Sequence, residues 1–152
     1  MSEPYRDPWL DYKAILDSMK KKFLKKPNYS QALADFNKLA LRFKDEDCDQ
    51  YAAMCYYQMA KIYEETDDWL MQYRHLLKAA RLFKQDEEKS HNKTLGNLNH
   101  MQDCYNHAVQ LIYDHGSQWE AGLHTTELAN ALRTFDRPDL ALQYHVRGRS
   151  QL

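Results

Sequence analysis

The sequence predicts an all-α protein, and three observations carry that expectation. Four glycines and four prolines in 152 residues leave few of the turn formers that a sheet of short strands needs. Apolar residues recur at three- and four-residue steps along most of the chain, which is the spacing of a helix face rather than the alternation of a strand. Short polar runs carrying capping residues divide those periodic stretches into seven. At this length a single domain over residues 1–152 can bury one sizeable core. A hydrophobic fraction of 43% beside a charged fraction of 28% suits a folded chain rather than a disordered one.

The first helix is expected to start with Asp7 as N-cap and Pro8 at the first helical position, where a missing N–H costs nothing. Residues 1–7 before it are expected to be flexible. Trp9, Tyr12, Leu16, Met19 and Phe23 form its apolar stripe, and Pro27 stops it near Lys26. The second helix covers about Ser30 to Lys44, with Leu33, Phe36, Leu39, Ala40 and Phe43 inward. The acidic run DEDCD (Asp45 to Asp49) separates it from a third, about Tyr51 to Glu65. Asp67 and Asp68 introduce a fourth, Trp69 to about Gln85. The polar stretch at residues 86–94 reads as a loop. A fifth helix runs from Leu95 to His115, where Gly116 is a natural stop. Ser117 caps a sixth, to about Phe135, and Asp136 with Pro138 opens a seventh.

Helices in short-looped succession invite a search for an internal period. Leu128, Ala129, Leu132, Ala141, His145 and Gly148 are spaced like a tetratricopeptide repeat. Ala60, Tyr63, Leu76 and Ala79 occupy matching places earlier, with Gln72 where a small residue is expected. Small residues let antiparallel helices approach closely while large ones fill the groove between hairpins. The expected architecture is therefore a right-handed α-solenoid of tetratricopeptide-like antiparallel hairpins, about seven helices long.

No segment reaches the roughly 18 consecutive apolar residues of a membrane span, and MSEPYRDPW has no basic flank leading into an apolar run. A cytoplasmic setting follows as an expectation, with Cys48, Cys55 and Cys104 as free thiols and the sequons at Asn28 and Asn92 unglycosylated.

Two clusters could carry function. Lys20, Lys21, Lys22, Lys25 and Lys26 crowd the end of the first helix around Phe23 and Leu24. Phosphate binding wants aromatic or arginine support, but Phe23 belongs to the core stripe and no Arg sits in the cluster. A membrane contact wants bulky apolar residues exposed beside the lysines, and the stripe is needed inside, so neither nucleic acid nor a membrane surface is expected. The alternatives are a solvated helix back and a contact with a protein partner. Charge is segregated along the chain: the first 26 residues are basic on balance, and residues 45–68 are strongly acidic with Lys61 the single cation. Opposite patches of this kind orient a partner. His100, Cys104 and His107 fall at i, i+4 and i+7, the one constellation a zinc ion could use, but a second buried face of the fifth helix explains them as well. No phosphate loop, nucleophile elbow or H-E-x-x-H occurs, so no enzyme, cofactor or metal is expected.

KKKFLKKPN (Lys20 to Asn28), C-x-x-YAAMC (Cys48 to Cys55) and KAARLF (Lys78 to Phe83) resemble the forty-kilodalton huntingtin-associated protein family, from about Tyr12 to Leu152. The resemblance implies an all-helical scaffold that binds and stabilises huntingtin, a HEAT-repeat protein, with the lysine cluster as a candidate contact. It also implies an alternative in vesicle trafficking, through an early-endosomal Rab GTPase or a SNARE-type protein. Cytoplasmic, nuclear and early-endosomal locations follow from it too. Family members continue past the equivalent of Leu152, so the resemblance implies an expectation that the chain matches an N-terminal half or a short form.

Overall fold

A computed structural model describes residues 7–20, 28–89, 95–135, 142 and 146–148. Six helices are bounded: α1 (Pro8–Lys20), α2 (Tyr29–Asp45), α3 (Asp49–Glu65), α4 (Trp69–Lys89), α5 (Leu95–Asp114) and α6 (Gln118–Thr134). Residues 142 and 146–148 are helical as well, inside the expected seventh helix, and no strand occurs among the described residues. Phe23, placed above in the apolar stripe of the first helix, and Ala141, placed above in the repeat, lie outside the described residues.

Helix starts follow local chemistry. Trp9 N–H donates to Asp7 Oδ1 at 3.0 Å, Gln31 N–H to Asn28 Oδ1 at 3.1 Å and Met71 N–H to Asp68 Oδ1 at 3.2 Å, each satisfying a first-turn donor that the helix cannot. Ser117 stands at the α6 N-cap without a side-chain capping bond.

Three of the connections are built alike. In each, one residue turns left-handed: Asp47 at φ 58°, Asp67 at φ 56° and Gly116 at φ 94°. The next N–H then reaches back five residues to a carbonyl, as Cys48 to Phe43 (2.7 Å), Asp68 to Tyr63 (2.9 Å) and Ser117 to Ile112 (3.1 Å). This is the Schellman closure, which satisfies the end carbonyls of one helix. The residue that closes it is also the N-cap of the next helix. With so short a link, successive helices must run antiparallel.

Each helix packs chiefly against its chain neighbours. Side chains also link alternate helices. Trp9 of α1 lies 5.4 Å from Tyr51 of α3, and the Arg81 and Tyr73 side chains of α4 bond to α6. The hairpins therefore stack into two layers, with α1, α3 and α5 in one and α2, α4 and α6 in the other.

Small residues sit where layers meet: Ala52, Ala53, Ala79, Ala80, Ala108, Ala121 and Ala129 are fully buried, and Ala60 nearly so. Phe36, Leu76, Met101, Tyr105, Leu128 and Leu132 fill the space between them. Each large aliphatic or aromatic side chain so buried contributes about 1.5–3 kcal/mol. Gly148 shows the same logic in the last segment, since a Cβ there would meet Thr126 Oγ1 at 2.8 Å and the Gly122 carbonyl at 3.4 Å.

α4 runs further than its polar end suggests. Asp86–Lys89, read above as the start of a loop, are helical. Lys89 Nζ donates to Asp47 Oδ1 at 2.9 Å and Asp49 Oδ2 at 2.8 Å, and Asn97 Nδ2 donates to Asp86 Oδ2 at 2.6 Å. Tethering to the α2–α3 turn and to α5 holds this end helical against its composition. The rest of that loop, residues 90–94, lies outside the described residues.

Candidate functional site

Of the lysine cluster, Lys20 is placed: it is exposed in the last turn of α1. Lys21, Lys22, Lys25 and Lys26 lie outside the described residues. Beside this end of α1, Met19 lines an open groove with Tyr29 of α2 and with Gln58, Lys61, Ile62, Glu64 and Glu65 of α3.

The helical spacing of His100, Cys104 and His107 does not bring them to one point. His100 is exposed and stacks on Phe83, ring centroids 5.2 Å apart. Cys104 is buried, and burial followed by the nearby Asp103 charge pushes its thiol up to about 12. His107 is exposed, with Nε2 3.4 Å from Gln72 Nε2 of α4. Among the described residues, no three His, Cys, Asp or Glu side chains are grouped to hold a metal ion. The second-face explanation fits Cys104, which is buried, and not the two histidines.

The densest polar constellation lies elsewhere, between α4 and α6. Arg81 grips Glu127 with two parallel bonds, Nε to Oε1 at 3.0 Å and Nη2 to Oε2 at 3.1 Å. The Tyr105 hydroxyl of α5, a residue with no exposed surface, donates to Glu127 Oε1 at 2.6 Å. His124 Nδ1 lies 3.3 Å from Glu127 Oε2, and its Nε2 lies 2.6 Å from the Tyr73 hydroxyl. Glu120 Oε2 is 3.4 Å from the same hydroxyl. Burial by itself would raise the Glu127 pKa, but hydrogen bonds from His124, Arg81 and Tyr105 outweigh it and hold the carboxyl well below its usual range.

A carboxylate, an imidazole and a hydroxyl in series invite comparison with a nucleophile relay. Burial, then the Glu120 charge and its hydrogen bond, push the Tyr73 phenol up to about 12, so the hydroxyl stays protonated at neutral pH as a hydrogen-bonding group. The residue is also buried. This is a strap within the α2–α4–α6 layer, which the Tyr105 hydroxyl of α5 ties to the other layer.

Sequence reasoning missed the strap. Glu120, His124 and Glu127 share a helix face at i, i+4 and i+7, which was a readable signal. Their partners Tyr73 and Arg81 stand 46 to 51 residues away, and nothing local announces such a pairing.

No protein-family model matches the chain. Among curated proteins, it is 29% identical over 144 residues to the 40-kDa huntingtin-associated protein of Rattus norvegicus, and equally to that of Mus musculus. The aligned region takes up 90% of this chain, and the chain spans only 38% of the length of those relatives. The likeness stated from the sequence thus extends over nine-tenths of the molecule, which is similar to part of the 40-kDa huntingtin-associated protein.

Proposed function

We propose that this chain is a non-catalytic interaction scaffold that binds huntingtin and stabilises it. The single observation that carries the proposal is the similarity to a protein named for huntingtin association, over 90% of the chain. Its packing agrees with such a role. Stacked antiparallel hairpins expose one long surface on each layer, as in a right-handed tetratricopeptide-like solenoid, and a larger partner can be held along either. The α4–α6 strap cross-links one layer, and Tyr105 of α5 joins it to the other, which suits a rigid scaffold.

The test is direct association of the purified chain with purified huntingtin, followed by surface-bound kinetics or co-migration in size-exclusion chromatography. Saturable binding at equimolar ratio, with a raised unfolding temperature of huntingtin in the complex, is the expected result. Absence of co-migration at micromolar concentrations removes the proposal.

A further inference from the structure

We propose that the outer surface of the α2–α4–α6 layer is a docking face for an acidic amphipathic helix of a partner protein, an inference that rests on the scaffold reading.

The argument starts from α4. Its residues divide cleanly by helical angle. Gln72, Leu76, Ala79 and Phe83 turn inward, while Leu70, Arg74, Lys78 and Arg81 follow one line on the opposite side and are exposed. That outward line contains cations and an apolar residue, with no carboxylate between Leu70 and Arg81. Arg81 is neutralised by Glu127. Arg74 and Lys78 form no ion pair with a described residue, and Lys78 is held with its ammonium 5.4 Å from the Tyr56 ring centre.

The flanking helices of the same layer continue the pattern. α2 presents Lys38 and Leu41 one turn apart, Leu41 half exposed at 50%. α6 presents Trp119 at 63% and Leu123 at 47%, again one turn apart. Large apolar side chains exposed singly are ordinary. Here they flank unpaired cations on one layer, which is the composition that receives an amphipathic helix by its i, i+3, i+4 apolar edge.

The sign of the partner follows from the other layer. The exposed charges of α3 and α5 include Glu64, Glu65, Asp103 and Asp114 against Lys61, while α1 of the same layer adds Lys13 and Lys20 against Asp17. The acidic excess on α3 and α5 contrasts with the cations along the outward line of α4, and that line selects an acidic occupant. A basic helix would be turned away from the α4 line by like charge.

The test uses the full chain and two synthetic helical peptides that share a leucine edge. One carries Glu at every other position and the second carries Lys. The wild type binds the Glu peptide at least tenfold more tightly than the Lys peptide at low salt. The double substitution Arg74→Glu, Lys78→Glu reverses that order, whereas Lys13→Glu with Lys61→Glu on the other layer leaves it. Equal binding of both peptides to the wild type overturns the proposal, as does an unchanged order in the α4 variant with its circular dichroism intact.

Huntingtin is run in parallel. If it binds the wild type and the α4 variant associates about tenfold more slowly, the face serves that partner. If huntingtin fails to bind while the peptide order holds, the scaffold's partner is wrong and the docking face stands. Loss of both overturns both.

Discussion

Glu127→Ala should be among the costliest single changes outside the apolar core, and its cost should come from tyrosine rather than arginine. The Arg81 side chain is 49% exposed, so water can replace its carboxylate partner. An ion pair of that kind contributes about 0–1 kcal/mol. The Tyr105 hydroxyl has no such recourse, because the residue has no exposed surface and Glu127 is its acceptor at 2.6 Å. A buried donor left without a partner costs about 1–3 kcal/mol. Glu127→Ala should therefore lose about 1–4 kcal/mol and Arg81→Ala no more than about 1. At about 2–4 °C per kcal/mol for a chain of this length, the first lowers Tm by about 2–16 °C. Thermal and urea unfolding at neutral pH read both. Adding Tyr105→Phe to Glu127→Ala removes the orphaned hydroxyl and should restore part of the loss. Should Arg81→Ala prove as damaging as Glu127→Ala, or Tyr105→Phe bring no relief, the assignment of the cost to the hydroxyl is wrong.

The same carboxylate sets an acid limit. Its folded pKa lies below the ordinary 4.5, so its contribution is present above that value and is lost as pH falls through the folded one; Glu127→Gln should flatten the acid limb of the stability curve. Ala129→Leu should overpack a site with no exposed surface and cost about 1–3 kcal/mol, and wild-type stability would show the crossing misplaced. Gly116→Ala meets nothing within 4 Å, so its cost of about 1–2 kcal/mol would come from the left-handed backbone; Asp67→Gly at the equivalent turn should gain up to about 1 kcal/mol, and a lower Tm for that variant counts against the shared turn geometry. Cys48 should react first with a thiol reagent at pH 8, because burial pushes Cys55 and Cys104 up to about 12; fast native labelling of Cys104 would contradict its placement.

The helices were legible because their signals are local. Asp7, Asn28 and Asp68 sit within three residues of the N–H groups they cap, and Gly116 lies in the turn it makes. Asp86–Lys89 were misread for the opposite reason. Their composition is that of a loop, and the groups that keep them helical include Asp47 and Asp49, some 40 residues earlier. The inner faces were readable from periodicity, whereas the α4–α6 strap needed knowledge of which helices share a layer. The histidines at 100 and 107 show the limit of spacing: one helix face does not mean one destination. The Asp47 and Asp67 turns were hidden because aspartate is less specific than glycine for a left-handed residue.

Serial packing through three equivalent turns has a kinetic consequence. Most native contacts join segments close along the chain, so little loop-closure entropy stands between the unfolded chain and a first hairpin, and folding should be fast for this size. Several nuclei are then available, since the α2–α3, α3–α4 and α5–α6 pairs each carry their own reversal. Unfolding should proceed inward from an end. Amide exchange would be quickest in α1, which leans mainly on α2, and slowest where α3, α4 and α5 cover one another.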